Sequence, residues 1–183
     1  MAGVARNNNA RPSDMLISLA VLLVPVVLIS WFFTRTPEPK AQPVDWRPVL
    51  ADARSRSPYP VLAPENLPDT WVVTKARWAA VGQTSVNQQP APGNTWELGV
   101  MTPDQMYVSL TQRDAAGEPL VSDLSGGGYL DGTSTVGGLT WKRVLSPSGR
   151  TRVIYRTEGA VTTVVAGDLA YEGLDAFAST LKP

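Results

Sequence analysis

"TWELGVMTPDQMYVSLTQ", Thr95 to Gln112, alternates apolar and polar residues on both sides of a short break. Trp96, Leu98 and Val100 fall on one face of the first arm, and Met106, Val108 and Leu110 fall on one face of the second. A period of two belongs to a strand half-buried against a core. The break, "TPDQ" at Thr102–Gln105, has the residue types of a tight turn. The stretch predicts an antiparallel hairpin, so the remainder has to be built around a sheet.

Downstream, "LTWKRVL", "RTRVIYRT" and "AVTTVVAG" are three more β-branched runs, joined by "SPSG" and "TEGA", and read as a meander. Upstream, Trp71 to Ala79 reads as a further strand, followed by a polar loop from Gly82 to Asn94. Pro119 to Leu124 has the makings of a short helix, and Gly126 to Gly138 reads as a mobile glycine-rich connection between the halves of the sheet. A helix is expected to begin at Asp45, whose carboxylate suits an N-cap, with Pro48 in the first turn and Trp46, Val49, Leu50 and Ala53 as its apolar stripe. It must stop before Pro58, and the proline-rich Pro58 to Pro68 is then extended, packed by Tyr59, Val61 and Leu62. Leu169 to Leu181 keeps helical spacing through Leu174, Phe177, Ala178 and Leu181, with Asp168 as its cap. These elements predict an α+β domain over residues 45–183, a single twisted antiparallel sheet with helices packed on one face.

The N-terminal end is of a different kind. Met15 to Phe33 is nineteen residues without a charge. As a helix it is about 28 Å long, close to the hydrocarbon thickness of a bilayer. Trp31, Phe32 and Phe33 sit where aromatic side chains favour the membrane interface, and Pro25 is tolerated in such a helix. A cleaved signal peptide would have a shorter apolar core and small residues after it; "TRTPEPKAQP" follows instead. The expectation is a single transmembrane helix at 15–33, a cytoplasmic tail at 1–14 without fixed structure and a stiff proline-rich linker at 34–44. The positive-inside count does not fix the orientation; the usual behaviour of a short N-terminal tail places the N-terminus in the cytoplasm and the domain outside.

Composition excludes more than it names. The chain has no cysteine and no histidine, which removes thiolate nucleophiles, Cys-zinc and iron–sulfur sites, and the usual activator of a serine. Of sixteen basic and sixteen acidic residues, four and two precede Asp45, leaving the domain twelve against fourteen. A net charge of −2 gives no bulk attraction to nucleic acid or anionic lipid. The basic residues are mostly arginine, which together with many Ala, Gly, Pro and Val suggests a GC-rich bacterial genome.

The strongest binding candidate is a basic hairpin. Lys142, Arg143, Arg150, Arg152 and Arg156 fall together with no acid between them. If "SPSG" closes the turn, Arg150, Arg152 and Arg156 share one face, Arg143 lies across from Arg152, and Trp141 lies beside them. On an outer sheet face, such a set could hold an anionic polymer or phospholipid headgroups by forked hydrogen bonds and stacking. The bland alternative is a solvated face that discourages edge aggregation. The stretch "SGGGYLDGTSTVGG", Ser125–Gly138, lacks the context of a phosphate loop. Asp168, Glu172 and Asp175 on one helix face complement a helix dipole better than they make a calcium site. The tryptophans outside the apolar run read as core. No catalytic residue, metal ligand or cofactor site is expected.

"PVDWRPVL", "PYPVLAPENLP", "TWELGVMTPDQMYVSLTQ", "VGGLTWKR" and "RTEGAVTTVVAG", together with the apolar run, resemble the actinobacterial membrane-anchored domains of unknown function grouped as the DUF four-two-four-five family. The resemblance covers Met15 to Leu181 and implies a single-pass protein of the cell envelope; it carries over no functional residues. The expectation is therefore a non-enzymatic binding module tethered to the lipid bilayer. Its partner would be an envelope protein or an anionic envelope component, met through Trp141, Arg143, Arg150, Arg152 and Arg156, with no nucleic acid involved. Alternatively it is an accessory subunit acting through its transmembrane helix, or, less favoured, an enzyme of unfamiliar type without histidine or cysteine.

Overall fold

A computed structural model describes residues 12–33, 42–84 and 89–183. Most of the expected tail (1–11), most of the linker (34–41) and part of the polar loop (85–88) lie outside the described residues. Contacts divide the chain into two units, residues 1–40 and 41–183.

Of the first unit, the structure describes a helix α1, Pro12–Phe33. It begins earlier than the apolar run, taking in three residues expected to be tail. Its described side chains, Leu16 to Trp31, are all exposed, large apolar ones included. That stretch alone is short of a bilayer crossing; among the described residues no helix is long and apolar enough to span a membrane.

The second unit is α+β. After α2 (Arg47–Arg56) and a short strand β1 (Ala63–Pro64) come β2 (Val72–Ala79), β3 (Thr95–Met101) and β4 (Tyr107–Arg113). α3 (Gly117–Ser125) leads to β5 (Tyr129–Val136), β6 (Leu139–Leu145), β7 (Arg152–Glu158) and β8 (Val161–Gly167). α4 (Tyr171–Ser179) and β9 (Leu181–Lys182) close the chain. The seven long strands form one antiparallel sheet in the order β2-β3-β4-β8-β7-β6-β5. Two meanders, β2–β4 and β5–β8, thus meet at the central β4–β8 pair.

The opening hairpin forms as its alternation requires. Leu98 faces Leu110 and Val100 faces Val108, all with 1 % exposure or less. Thr102 and Gln105 close the turn, Gln105 in the left-handed region at φ 59°. Two short strands were not foreseen: β1 pairs with β9, tying the proline-rich segment to the residue that was expected to end the last helix, Leu181.

Helices cover both faces of the sheet, not one. Leu98, Val100, Val108, Leu110, Ile154 and Val165 form one core with α2, α4 and the segment through Tyr59 and Val61. On the opposite face, Val144, Val153, Val164 and Ala166 pack against Leu120 and Val121 of α3. The reason lies in β8: Val164 and Val165 are consecutive and both fully buried, so this central strand is apolar on both sides. α3 carries the chain from the central β4 to the far edge at β5, across the second face.

Two expected caps are different. α2 starts at Arg47 with Trp46 in the cap position; Asp45 accepts the Arg47 amide at 3.3 Å from one residue further out. α4 has Ala170 as its cap, and Asp168 is used elsewhere. The segment Pro58–Pro68 is held by side chains that reach out of the sheet. Gln112 accepts the Leu62 amide at 2.7 Å and donates to Pro60 O and Thr163 Oγ1, while the Tyr59 hydroxyl donates to Asn94 O at 2.9 Å and Gln112 O at 3.1 Å. Trp96 Nε1 donates to Leu62 O at 3.0 Å. A chain rich in proline has few amides to pair, so side chains supply the ties.

Candidate interaction site

The arginines come together, but on the face that α4 covers. Residues that point to one side of β6 and β7 here are Trp141, Arg143, Arg152, Ile154 and Arg156, and Ile154 belongs to the core beneath α4. The register differs from expectation. Leu145, not Arg143, lies opposite Arg152, and Arg143 lies opposite Ile154. The turn is longer than "SPSG": Ser146 N donates to Thr151 O, so Arg150 sits in the turn, outside β7.

Each guanidinium is engaged within the domain. Arg143 Nε donates to Ser134 Oγ at 2.6 Å, its Nη2 lies 3.2 Å from Asp175 of α4, and it stacks 4.6 Å from the Tyr171 ring centre. Arg152 approaches the same ring at 5.8 Å. Arg156 lies over the Trp141 ring at 5.6 Å, with its Nη1 2.8 Å from Glu158. Arg150 Nε donates to Asp168 at 2.6 Å. Trp141, placed beside the arginines in the binding reading and read as core with the other tryptophans, is only 3 % exposed, as the core reading requires. The Tyr171 hydroxyl makes no well-shaped hydrogen bond. Burial pushes it above the ordinary tyrosine range, the nearby Asp131 carboxylate pushes the same way, and Arg152 and Arg143 pull it back. The cluster is built to fasten α4 to β5–β7. Of the three carboxylates on the α4 side, Asp175 and Asp168 are thereby spent on arginines. Among the described residues, no group of three potential ligands is placed to hold a metal ion.

Another feature was not singled out in the sequence. Leu67, Pro68, Trp71, Leu169, Gly173, Ala176 and Phe177 line a groove of about 280 Å³ whose walls are almost wholly apolar. One wall is the stack of Trp71 on Phe177, centroids 6.0 Å apart and planes within 7°. Leu67 and Trp71 are only partly buried. The groove adjoins a larger, shallower and more polar hollow that shares Asn66, Leu67, Pro68 and Trp71 and reaches Pro43, Val44 and Trp46 at the start of the domain. A signal for it exists in the sequence: Leu169, Gly173, Ala176, Phe177 and Thr180 follow helical spacing beside the core stripe. A third hollow, of about 190 Å³ beside Pro90 and Pro92, mixes Arg77 and Arg113 with Glu97 and Asp123. Its charges balance, and Arg113 Nε is bonded to Thr95 Oγ1 at 3.1 Å.

With the geometry set out, comparison with known proteins gives the family. Residues 8–181 match the family described as Protein of unknown function (DUF4245). The chain belongs to that family. For this DUF4245 chain no curated protein sequence gives a match. Among solved structures, the complex structure of Pseudomonas aeruginosa MucA/MucB is similar at 17 % identity and a TM-score of 0.37. That likeness covers 67 % of the DUF4245 chain and 34 % of the other, so the chain spans about a third of that protein's length. Neither comparison assigns a residue a role, and the sites above stand on their geometry.

Proposed function

We propose that this protein is a single-pass, membrane-anchored, non-enzymatic interaction module whose domain lies outside the cytoplasmic membrane and docks a protein partner in the groove between Trp71 and α4. The groove carries the reading. An apolar concavity with an aromatic stack for a wall is the kind of surface that accepts a partner's anchor side chains, since burying such area is where most binding energy is concentrated. The arginine cluster is the weaker candidate, because its guanidinium groups already have partners and its tryptophan is buried.

Support for the anchor is the exposed apolar side chains along α1. In the sequence, the charge-free run continues to Met15 and Phe33, beyond the described side chains. So much exposed apolar surface needs a membrane or a partner. Anchoring would also hold the groove near other membrane proteins and raise their effective concentration.

The test uses the full-length chain in its native membranes. A photo-crosslinking phenylalanine analogue at Leu67 is expected to capture one recurrent protein, lost in Ala176→Trp, which fills the exposed floor of the groove. Replacing Met15–Phe33 by an unrelated spanning helix should leave that capture intact. Capture that follows the anchor instead makes the protein a subunit held by its helix; capture indifferent to Ala176→Trp removes the groove. The absence of cysteine gives a clean topology assay. A Ser148→Cys variant, exposed in the β6–β7 turn, should react with a membrane-impermeant maleimide on intact cells. Reaction only after lysis reverses the orientation.

A further inference from the structure

The glycine-rich stretch is not a mobile connection. It folds into β5, the last strand of the seven-stranded sheet, with β6 on one side and, among the described residues, no strand on the other. Gly137 and Gly138, at φ 58° and 78°, form the two-residue turn to β6. Positive φ at both positions is the hairpin turn that matches strand twist, and only glycine adopts it without strain.

That turn fixes which backbone groups are free. In a two-residue hairpin the flanking pair, here Val136 and Leu139, exchanges hydrogen bonds, and so does every second pair. Val136 and Ser134 therefore turn their N–H and C=O toward β6, and Thr133 and Thr135 turn theirs outward. The side chains alternate between the two faces: Thr133 and Thr135 are exposed on one, Ser134 and Val136 buried on the other. Beyond a bulge at Asp131–Gly132, Tyr129 and Leu130 are 57 % and 66 % exposed, on opposite faces of the strand. The other edge, β2, is partly covered, since Val44 N donates to Val73 O at 2.8 Å.

The geometry points to β5 as the strand to which an extended segment of another protein adds, extending the sheet to an eighth strand. A row of outward N–H and C=O groups is matched along its length by another extended backbone, and this sets the class of ligand. Specificity would come from apolar residues at the end of that segment meeting Tyr129 and Leu130. A second copy of the chain is the poorer occupant. Antiparallel self-pairing centred on Ser134 brings Leu130 opposite Gly138, which has no side chain to bury it. It leaves a short contact with little apolar area, well short of the roughly 1,000 Å² a stable interface needs. This inference is independent of the groove, since no residue of β5 lines it.

The experiment places the photo-crosslinking analogue at Leu130 in the full-length chain in native membranes and identifies the crosslinked peptide by mass spectrometry. Thr135→Pro removes one outward N–H at an edge position, where proline is tolerated. It is expected to lower the adduct about tenfold, the worth of one well-made backbone bond, whereas Thr135→Val, which keeps the N–H, preserves it. In the purified adduct, the Thr133 and Thr135 amides should exchange with solvent much more slowly than in the free chain, which reads pairing even where the proline variant folds poorly. An adduct to the chain's own residues, an adduct unaffected by Thr135→Pro, unprotected amides, or no adduct at all overturns the inference. The crosslinker at Leu67 reports on the groove separately, so the two proposals fail separately.

Discussion

Arg143→Met distinguishes an arginine that fastens the fold from one kept for a ligand. The substitution keeps most of the apolar stem and removes the guanidinium. Three contacts go with it: the 2.6 Å bond to Ser134, the 3.2 Å pair with Asp175 and the stack on Tyr171. Ser134 is 4 % exposed, so its hydroxyl is left buried without that partner, a loss of about 1–2 kcal/mol. The Arg143 and Asp175 side chains are 26 % and 23 % exposed, so water recovers part of the pair and roughly 1 kcal/mol is a fair figure for it. The stack adds about 0.5–1 kcal/mol. The sum, about 3 kcal/mol, lowers the melting temperature of a domain of this size by roughly 6–12 °C. The assay is urea unfolding of the detergent-solubilised chain followed by tryptophan fluorescence, repeated for Asp175→Asn and for the double variant. A coupling of about 1 kcal/mol is expected between the two sites. A loss under about 0.5 kcal/mol for Arg143→Met would refute the clamp, and with it the argument that these arginines are spent on α4.

Three further outcomes follow from the same contacts. Gln112→Leu should cost about 2–4 kcal/mol in urea unfolding, because the Leu62 amide and the buried Thr163 hydroxyl both lose their partner. Tyr59, raised above the ordinary 10.0 by burial and then by the Asp114 carboxylate, stays protonated in the folded state where the unfolded chain would ionise. Its contribution is therefore complete below about pH 10 and is lost as pH climbs beyond it; unfolding midpoints should fall more steeply there for the native chain than for Tyr59→Phe. Gly138→Val places a β-branched residue at φ 78° and should cost about 1–3 kcal/mol, measured by thermal unfolding, with the loss of the β5–β6 turn visible as faster amide exchange at Leu139.

The strands were legible because their chemistry is local. Alternation in Thr95–Gln112 and the β-branched runs from Leu139 to Gly167 mark elements whose neighbours in sequence are also their neighbours in the sheet. What failed was set by distance along the chain. Nothing local tells that β4 pairs with β8 rather than closing the first meander, and from that pairing comes a central strand buried on both faces, hence the helix on the second face. β1 and β9 are two residues each, and each is a strand only because the other is beside it. The glycines of 126–138 read as mobility, although Gly137–Gly138 is also a hairpin signal and Thr133–Val136 a short strand pattern. The arginine register slipped by two residues because "SPSG" was taken as the whole turn, when Arg150 and Thr151 belong to it.

The acid partners explain why a basic hairpin was a poor guide to a site. Arg143 is paired with Asp175, thirty-two residues on, and Arg150 with Asp168, eighteen residues on. Between Lys142 and Arg156 no acid occurs, so in the linear sequence the charge looks unopposed. Folding brings α4 and its approach back over β6 and β7, and the charge is answered there. A domain with a net charge of only −2, whose basic hairpin is answered by nearby acids, gains little from electrostatic steering. Recognition by this domain then has to come from shape: an apolar groove with a rigid aromatic wall, and a sheet edge with its backbone unpaired. Both kinds of contact bind with little dependence on salt. Raising the ionic strength during crosslinking should accordingly leave the Leu67 and Leu130 adducts in place, and a partner released by salt alone would mean that charge, not shape, holds it.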